Sequence, residues 1–210
     1  RIKMLNNNDL LNLIDIEKVL HQLLLQIRTS TASDAGTIYL KNGDCLKFCV
    51  FQNDSLSSIQ IKQMEEDNKF LRLPLIDKRY IAVKSFLSLS TIRINDIQQK
   101  NDLFLDGIKD FDMKYGFTTH SMVTIPLVDI FSKNPIGILQ IINKVKDKEF
   151  IPYSDMDLEF IKIASSFISF NISKAIEYKE SLERIDNEIN SVLNDEIVKK
   201  LEEDRLNSFY

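Results

Sequence analysis

The segment "IGILQIINK", residues 136–144, constrains this chain more than any other stretch. Read as a strand, it places Ile136, Ile138 and Ile142 on one face and Leu139 and Ile141 on the other. A strand apolar on both faces belongs in the middle of a sheet, with cover above and below. Gln140 interrupts the run and needs a hydrogen-bond partner if buried. The preceding stretch, "FDMKYGFTTHSMVTIPL" (111–127), leads from a charged loop through a glycine hinge, Gly116, into an alternating strand. Met122 and Thr124 then face one side of that strand, and Val123, Ile125 and Leu127 the other.

Elsewhere the periodicity divides into helices and short strands. Residues 9–28 repeat apolar side chains at helical spacing from Leu10 to Ile27, with Asp9 as the expected N-cap and His21 an ordinary helix residue. Two β-rich runs flank Asn42-Gly43, a hairpin signal because both residues tolerate positive φ. Simple alternation puts Leu46, Phe48 and Val50 on one face of the second strand and Cys45, Lys47, Cys49 and Phe51 on the other. Residues 56–69 read as a polar excursion, "FLRLPL" (70–75) as a short extended piece, 78–90 as helical and "TIRIND" (91–96) as a strand. Residues 97–116 carry apolar anchors, Leu103 to Met113, suited to short helical turns over a cavity.

From Ser154 a helix begins, with Ser154 and Asp157 forming a capping box. Apolar or small residues recur every three or four positions from Leu158 to Val192, and no glycine or proline follows Tyr153. Residues 154–193 alone would span about 60 Å as a helix, which must leave its domain or find a partner helix. Asn194 and Asp195 are expected to cap a fresh helix.

The charge argues against a broad grip on nucleic acid or anionic lipid, since the net is −4. Residues 177–207 hold ten acidic and five basic side chains, which leaves the earlier part near +1. Two cysteines, four apart on one strand and so about 13 Å from each other, can neither bridge nor share a metal, and a reducing, cytoplasmic setting fits them. No run of residues is apolar enough to span a bilayer. The chain opens on Arg1, as expected of a fragment of a longer polypeptide.

Taken in order, these pieces resemble a GAF domain. "SDAGTIYL" with "LKFCVFQNDSL" is similar to its first hairpin, and "LPLIDKRYIAV" to the entry of its pocket helix. "IRINDI", "FDMKYGFTTHSMVTIPL" and "IGILQIINK" are similar to its later strands, and "YSDMDLEFIKIASSFISFNISKAI" to its closing helix. The resemblance implies an α+β fold: about six antiparallel strands with helices on both faces, plus a long C-terminal signalling helix. It divides the chain into a helix or linker (1–19), the GAF domain (20–178) and a helical linker (179–210) toward an output domain.

The function so implied is a regulatory sensor and dimerisation module of a bacterial signal-transduction protein, not itself an enzyme. The implied ligand is a small molecule such as a cyclic nucleotide, contacted by Phe48, Asn53, Tyr80, Ile81, Ala82, Asp96, Phe117, Thr118, His120, Met122 and Thr124. Asn143, Lys144, Tyr153 and Asp157 match the signature of phosphodiesterase-type members, here read as a structural clamp. No metal site and no catalytic residue is expected. The sequence departs from ligand-binding members at Val83, where they often have glycine, and at Thr118 and His120, where they commonly have arginine. The partner expected is a second copy, parallel to the first, met through Leu10–Ile27 and Ile168–Val192. Two other readings stand beside this one: an empty GAF scaffold that only dimerises, and a free methionine sulfoxide reductase using Cys45 and Cys49.

Overall fold

The computed structural model describes residues 16–67, 72–97 and 105–207. The Asp9 cap, Leu103 and Phe104 lie outside the described residues. In chain order the elements are α1 (Ile16–Thr31), β1 (Ser33–Asn42), β2 (Cys45–Asn53), α2 (Ser58–Glu66), β3 (Arg72–Pro74) and α3 (Ile81–Ser88). There follow β4 (Ile92–Ile94), α4 (Asp106–Tyr115), β5 (Met122–Val128), β6 (Pro135–Lys146), β7 (Glu149–Phe150) and α5 (Asp155–Asn207). Residues 15–172 form one compact unit, and 173–210 belong to another.

Six strands make an antiparallel sheet in the order β3-β2-β1-β6-β5-β4, with the short β7 paired to the end of β6. The doubly apolar strand β6 is central, as its composition requires. On one side Leu139 and Ile141 join Val123, Ile125 and Leu127 beneath α1 and the start of α5. Leu20, Leu24 and Ile27 of α1 and Ile161, Ile168 and Ile172 of α5 complete that core. On the other side Tyr39, Leu46 and Ile138 pack against residues of α2 and α3, with Tyr115 and Phe117. Ile168 and Ile172 are thus core residues of the domain.

Simple alternation fails at two β-bulges. In β2, Ile38 pairs with Val50 but Tyr39 with Phe48, so Cys49 is an extra residue. Leu46 and Phe48 therefore face one core, Val50 turns to the helices on the other, and Phe51 returns to the first. Cys49 packs toward the helices, and Cys45, at the hairpin end of the same strand, donates to the Asn42 carbonyl. A second irregularity, between Leu127 and Val128, turns Ile136 to the helix side instead of the face of Ile138.

Two further expectations change. Residues read as a polar excursion contain α2, started by a reciprocal capping box between Ser57 and Gln60. The signal was there, in Ser-x-x-Gln, but lacked an apolar run behind it. At the other end α5 continues through Asn194 and Asp195 to Asn207, without the fresh cap. Nothing in an α-helix forbids Asn or Asp inside, and both residues are exposed, so their cost is only propensity.

Candidate functional site

A cavity of about 70 Å³ lies between the sheet and the α3–α4 layer. Its floor is built by alternation in the central strands, from Ala35, Thr37 and Tyr39 of β1 and Gln140 and Ile142 of β6, with Met122 of β5. The bulge at Cys49 adds two rings from one strand, Phe48 and Phe51, whose centroids are 5.9 Å apart in an edge-to-face arrangement. Phe48 also packs on Tyr39 at 4.6 Å. The roof comes from Tyr80, Ile81 and Ala82 at the start of α3, from Gly107, Ile108 and Phe111 of α4, and from Phe117.

No Asp, Glu, Lys or Arg side chain lines this wall among the described residues. Its polar groups are neutral. Gln140 donates through Nε2 to the Thr124 hydroxyl (3.2 Å) and the Met122 sulfur (3.3 Å), which supplies the partner its position demanded. Asn53 Oδ1 accepts the N–H groups of Ser55 and Leu56, both at 2.8 Å, while its buried Nδ2 has no partner. Helix α3 begins at Tyr80 without a side-chain cap, so its electropositive first turn, carrying Ile81 and Ala82, faces the cavity. Val83 is fully buried among Leu73, Tyr80 and Phe86 and is not on the wall, so the residue that replaces the family's glycine does not fill the cavity.

The C-terminal half of helix α4 is held over the cavity by polar contacts. Gln60 donates to the Tyr115 carbonyl (2.6 Å), and Asp67 accepts from Lys114 and from the Tyr115 hydroxyl. Gly116, at φ +63°, ends the helix in the left-handed conformation that a side chain would disfavour. Asp112 then takes both the N–H (2.7 Å) and the hydroxyl (2.8 Å) of Thr119. Burial holds the Asp112 carboxyl above its ordinary range despite those two bonds and the nearby His120.

Of the residues expected to meet a ligand, the structure brings Phe48, Asn53, Tyr80, Ile81, Ala82, Phe117 and Met122 together on the wall. Asp96, Thr118, His120 and Thr124 are not on it. Asp96 is half-buried beyond β4, and Thr118 is exposed with its carbonyl bound by Asn143. The His120 ring stacks on Phe150 at 3.8 Å, at the β7 edge. Thr124 is fully buried and engaged by Gln140. Phe111 and Ile108, expected as apolar anchors over a cavity, are on the wall, whereas sequence reasoning missed Tyr39, Phe51 and Gln140; Phe51 could not have been found without knowing of the bulge.

The four signature residues all make structural contacts. Lys144 pairs with Asp157, which also accepts the Ser154 N–H (2.7 Å) and hydroxyl (2.6 Å) in the capping box of α5. Burial pushes the Asp157 carboxyl up, but Lys144 and Ser154 together outweigh it and hold the group below its ordinary range. Tyr153, fully buried, shares a 2.9 Å hydrogen bond with Ser33, whose hydroxyl meets Thr31 at 2.7 Å. Asn143 bridges β6 to the segment entering β5, as described below.

Replacing Lys144 with Ala is expected to lower stability by about 2–3 kcal/mol, because the carboxylate it leaves is mostly buried. Thermal unfolding should then fall by roughly 5–10 °C. A depressed folded-state pKa stabilises above the unfolded value and loses that contribution as pH falls through the folded one. The gap between wild type and Lys144→Ala should therefore be full near neutrality and shrink below about pH 4. A gap unchanged down to pH 2 would show that the charge pair is not its source.

Burial raises the Cys49 thiol to about 11, with Glu17 adding to the effect and Lys47 opposing it. Neither cysteine lines the cavity. No described helix is long and apolar enough to cross a membrane, and no cluster of metal-ligating side chains occurs among the described residues.

A family model described as the GAF domain matches residues 15–172. The chain is 22% identical over 182 residues to a cGMP-specific 3',5'-cyclic phosphodiesterase of Drosophila mojavensis, covering 83% of this chain and 15% of that protein. It thus spans about a sixth or less of that relative's length. Among solved structures, the GAF domain/HD domain protein of Geobacter sulfurreducens superposes with a TM-score of 0.59 at 13% identity, covering 79% of this chain and 97% of that one. A free methionine-R-sulfoxide reductase of Neisseria meningitidis, in complex with its substrate, gives 0.52 at 12% identity, covering 80% and 84%. At such identities these structures speak for the fold alone.

Proposed function

The chain belongs to the GAF domain family, and from that premise we infer that it is a small-molecule-sensing regulatory domain of a signalling protein. The observation that carries this reading is the cavity itself: six aromatic rings and several neutral polar groups converge between the sheet and a roof of two helices. The open first turn of α3 offers a place for a phosphate or another electronegative group. The likeness to cGMP phosphodiesterases supports a cyclic nucleotide as the first ligand to try. Since the wall carries no cation among the described residues, a nucleotide would be held there by ring contacts and helix N–H groups rather than by ion pairs.

At about 70 Å³ the cavity has room for a few waters and falls short of the roughly 300 Å³ of a typical ligand site. A ligand of nucleotide size therefore requires the roof to open. Such a ligand biases the domain only insofar as it binds the open arrangement better than the closed one. Titration calorimetry with cGMP and cAMP tests the reading. Binding below 100 µM with protection of α3 and α4 amides is expected; dissociation constants above 1 mM for both remove the cyclic nucleotide.

The small volume also favours a second reading, in which the cavity stays closed and the domain serves as a ligand-free scaffold for dimerisation. Catalysis of the reductase kind is not favoured. That reaction needs a thiolate at the cavity, and Cys49 is turned to the other side of the sheet with its thiol pKa raised.

A further inference from the structure

A second concavity, an open groove of about 550 Å³, runs along the outer edge of β2. Among the described residues β3 covers that edge only at Cys45–Lys47, and the strand beyond is flanked by helices instead. Glu17, His21 and Leu25, spaced four apart on one face of α1, form one bank, and Ile61 and Met64 of α2 the other. The groove shares Phe48, Phe51 and Asn53 with the cavity wall. Most of that wall is buried; five of its residues are only half-buried, and these three are among them.

We propose that this groove is the entrance of the cavity, with Phe48 and Phe51 as its door. The inference rests on the sensing reading and adds to it the route and the shape of what enters. The two rings stand at a bulge, where a strand bends and re-aims its side chains. Turning a half-buried ring takes on the order of nanoseconds and breaks no backbone hydrogen bond. Lifting α4 instead must break its contacts with Gln60 and Asp67. Asn53 stands between the two spaces with its Nδ2 buried and unpartnered among the described residues, so it lacks an acceptor such as a carbonyl or ring nitrogen. Glu17, His21 and the exposed Asp54 carboxylate place the polar and charged groups outside the door, while no described wall residue inside is charged. The ligand so selected is elongated: its uncharged ring, bearing an acceptor, goes in first and its polar end trails in the groove. The roof must still rise for a molecule of nucleotide size; the groove decides where it comes in.

The chain has no tryptophan, so Phe111→Trp puts a single reporter on a part of the cavity wall that does not line the groove. Acrylamide quenching of that indole measures how readily a small neutral solute reaches it. Adding Phe51→Leu is expected to raise the quenching constant at least about 5-fold, and Phe48→Leu to act alike, because close packing of these rings is what bars the way. Phe117→Leu removes the same volume from a buried wall ring away from the groove, and Gln60→Ala loosens the roof; each should leave quenching within about 2-fold. Melting curves followed by circular dichroism establish that each protein is folded at the assay temperature. No rise with Phe51→Leu or Phe48→Leu, an equal rise with Phe117→Leu, or a rise only with Gln60→Ala overturns the proposal. Titration with cGMP reports separately: nucleotide binding without any rise in quenching keeps the sensing domain and removes this entrance.

Discussion

Asn143→Ala is expected to destabilise the domain by about 4 kcal/mol, near the top of what single substitutions do. The side chain is fully buried, and both ends of its amide are hydrogen-bonded to backbone. Its Oδ1 accepts the N–H groups of His120 (2.7 Å) and Ser121 (3.3 Å), and its Nδ2 donates to the Thr118 carbonyl (2.8 Å). Truncation strips these backbone groups of their shared partner, at about 1–3 kcal/mol for each one that water cannot reach. The backbone adds a second contribution: Asn143 sits at φ +57°, which asparagine tolerates better than alanine. Glycine at the same position loses the hydrogen bonds but accepts the dihedral. Urea denaturation should therefore rank wild type above Asn143→Gly, and Asn143→Gly above Asn143→Ala by about 1 kcal/mol. Equal losses for the two variants would show that the backbone contribution is nil.

The other large effect is expected at Gly137, where three central strands meet. It pairs with Leu40 of β1 on one side and Leu127 of β5 on the other. A Cβ placed there would lie 2.3 Å from the Tyr39 carbonyl oxygen, which as backbone cannot swing away. Gly137→Ala must push β1 and β6 apart, and a loss of about 3 kcal/mol or more is expected from such overpacking. The displaced residue is Tyr39, whose ring supports Phe48 in the cavity wall. The variant should thus change near-ultraviolet circular dichroism of the native state as well as its stability. Gly43→Ala is the comparison: nothing lies within 4 Å of its Cβ, and only its φ of +60° opposes the change, so a loss of about 1 kcal/mol is expected. Similar losses at the two glycines would contradict the steric argument.

Much of this architecture could be read from residue order. The two-faced composition of 136–144 demanded a covered central strand, and Val123, Ile125 and Leu127 turned to the helices as their spacing required. The capping box at Ser154 and the ion pair of Lys144 with Asp157 lay in a short, recognisable stretch. What periodicity could not show was where it breaks. A bulge leaves no strong mark in composition, so β2 was assigned one uniform alternation and Val50 the wrong face. His120 illustrates a different limit: a polar residue entering a strand beside a cavity is a reasonable contact, but its ring is set by Phe150, a neighbour thirty positions away.

The extra residue in β2 has a consequence for how this domain tolerates change. Phe48 and Phe51, an odd number of positions apart, look the same way only because one more amino acid has been counted into the strand. Their convergence is therefore written in chain length rather than in side-chain chemistry. Exchanging Cys49 for another small residue should leave the aromatic lining intact, whereas deleting it would rotate every position on one side of the gap and scatter the rings to opposite surfaces.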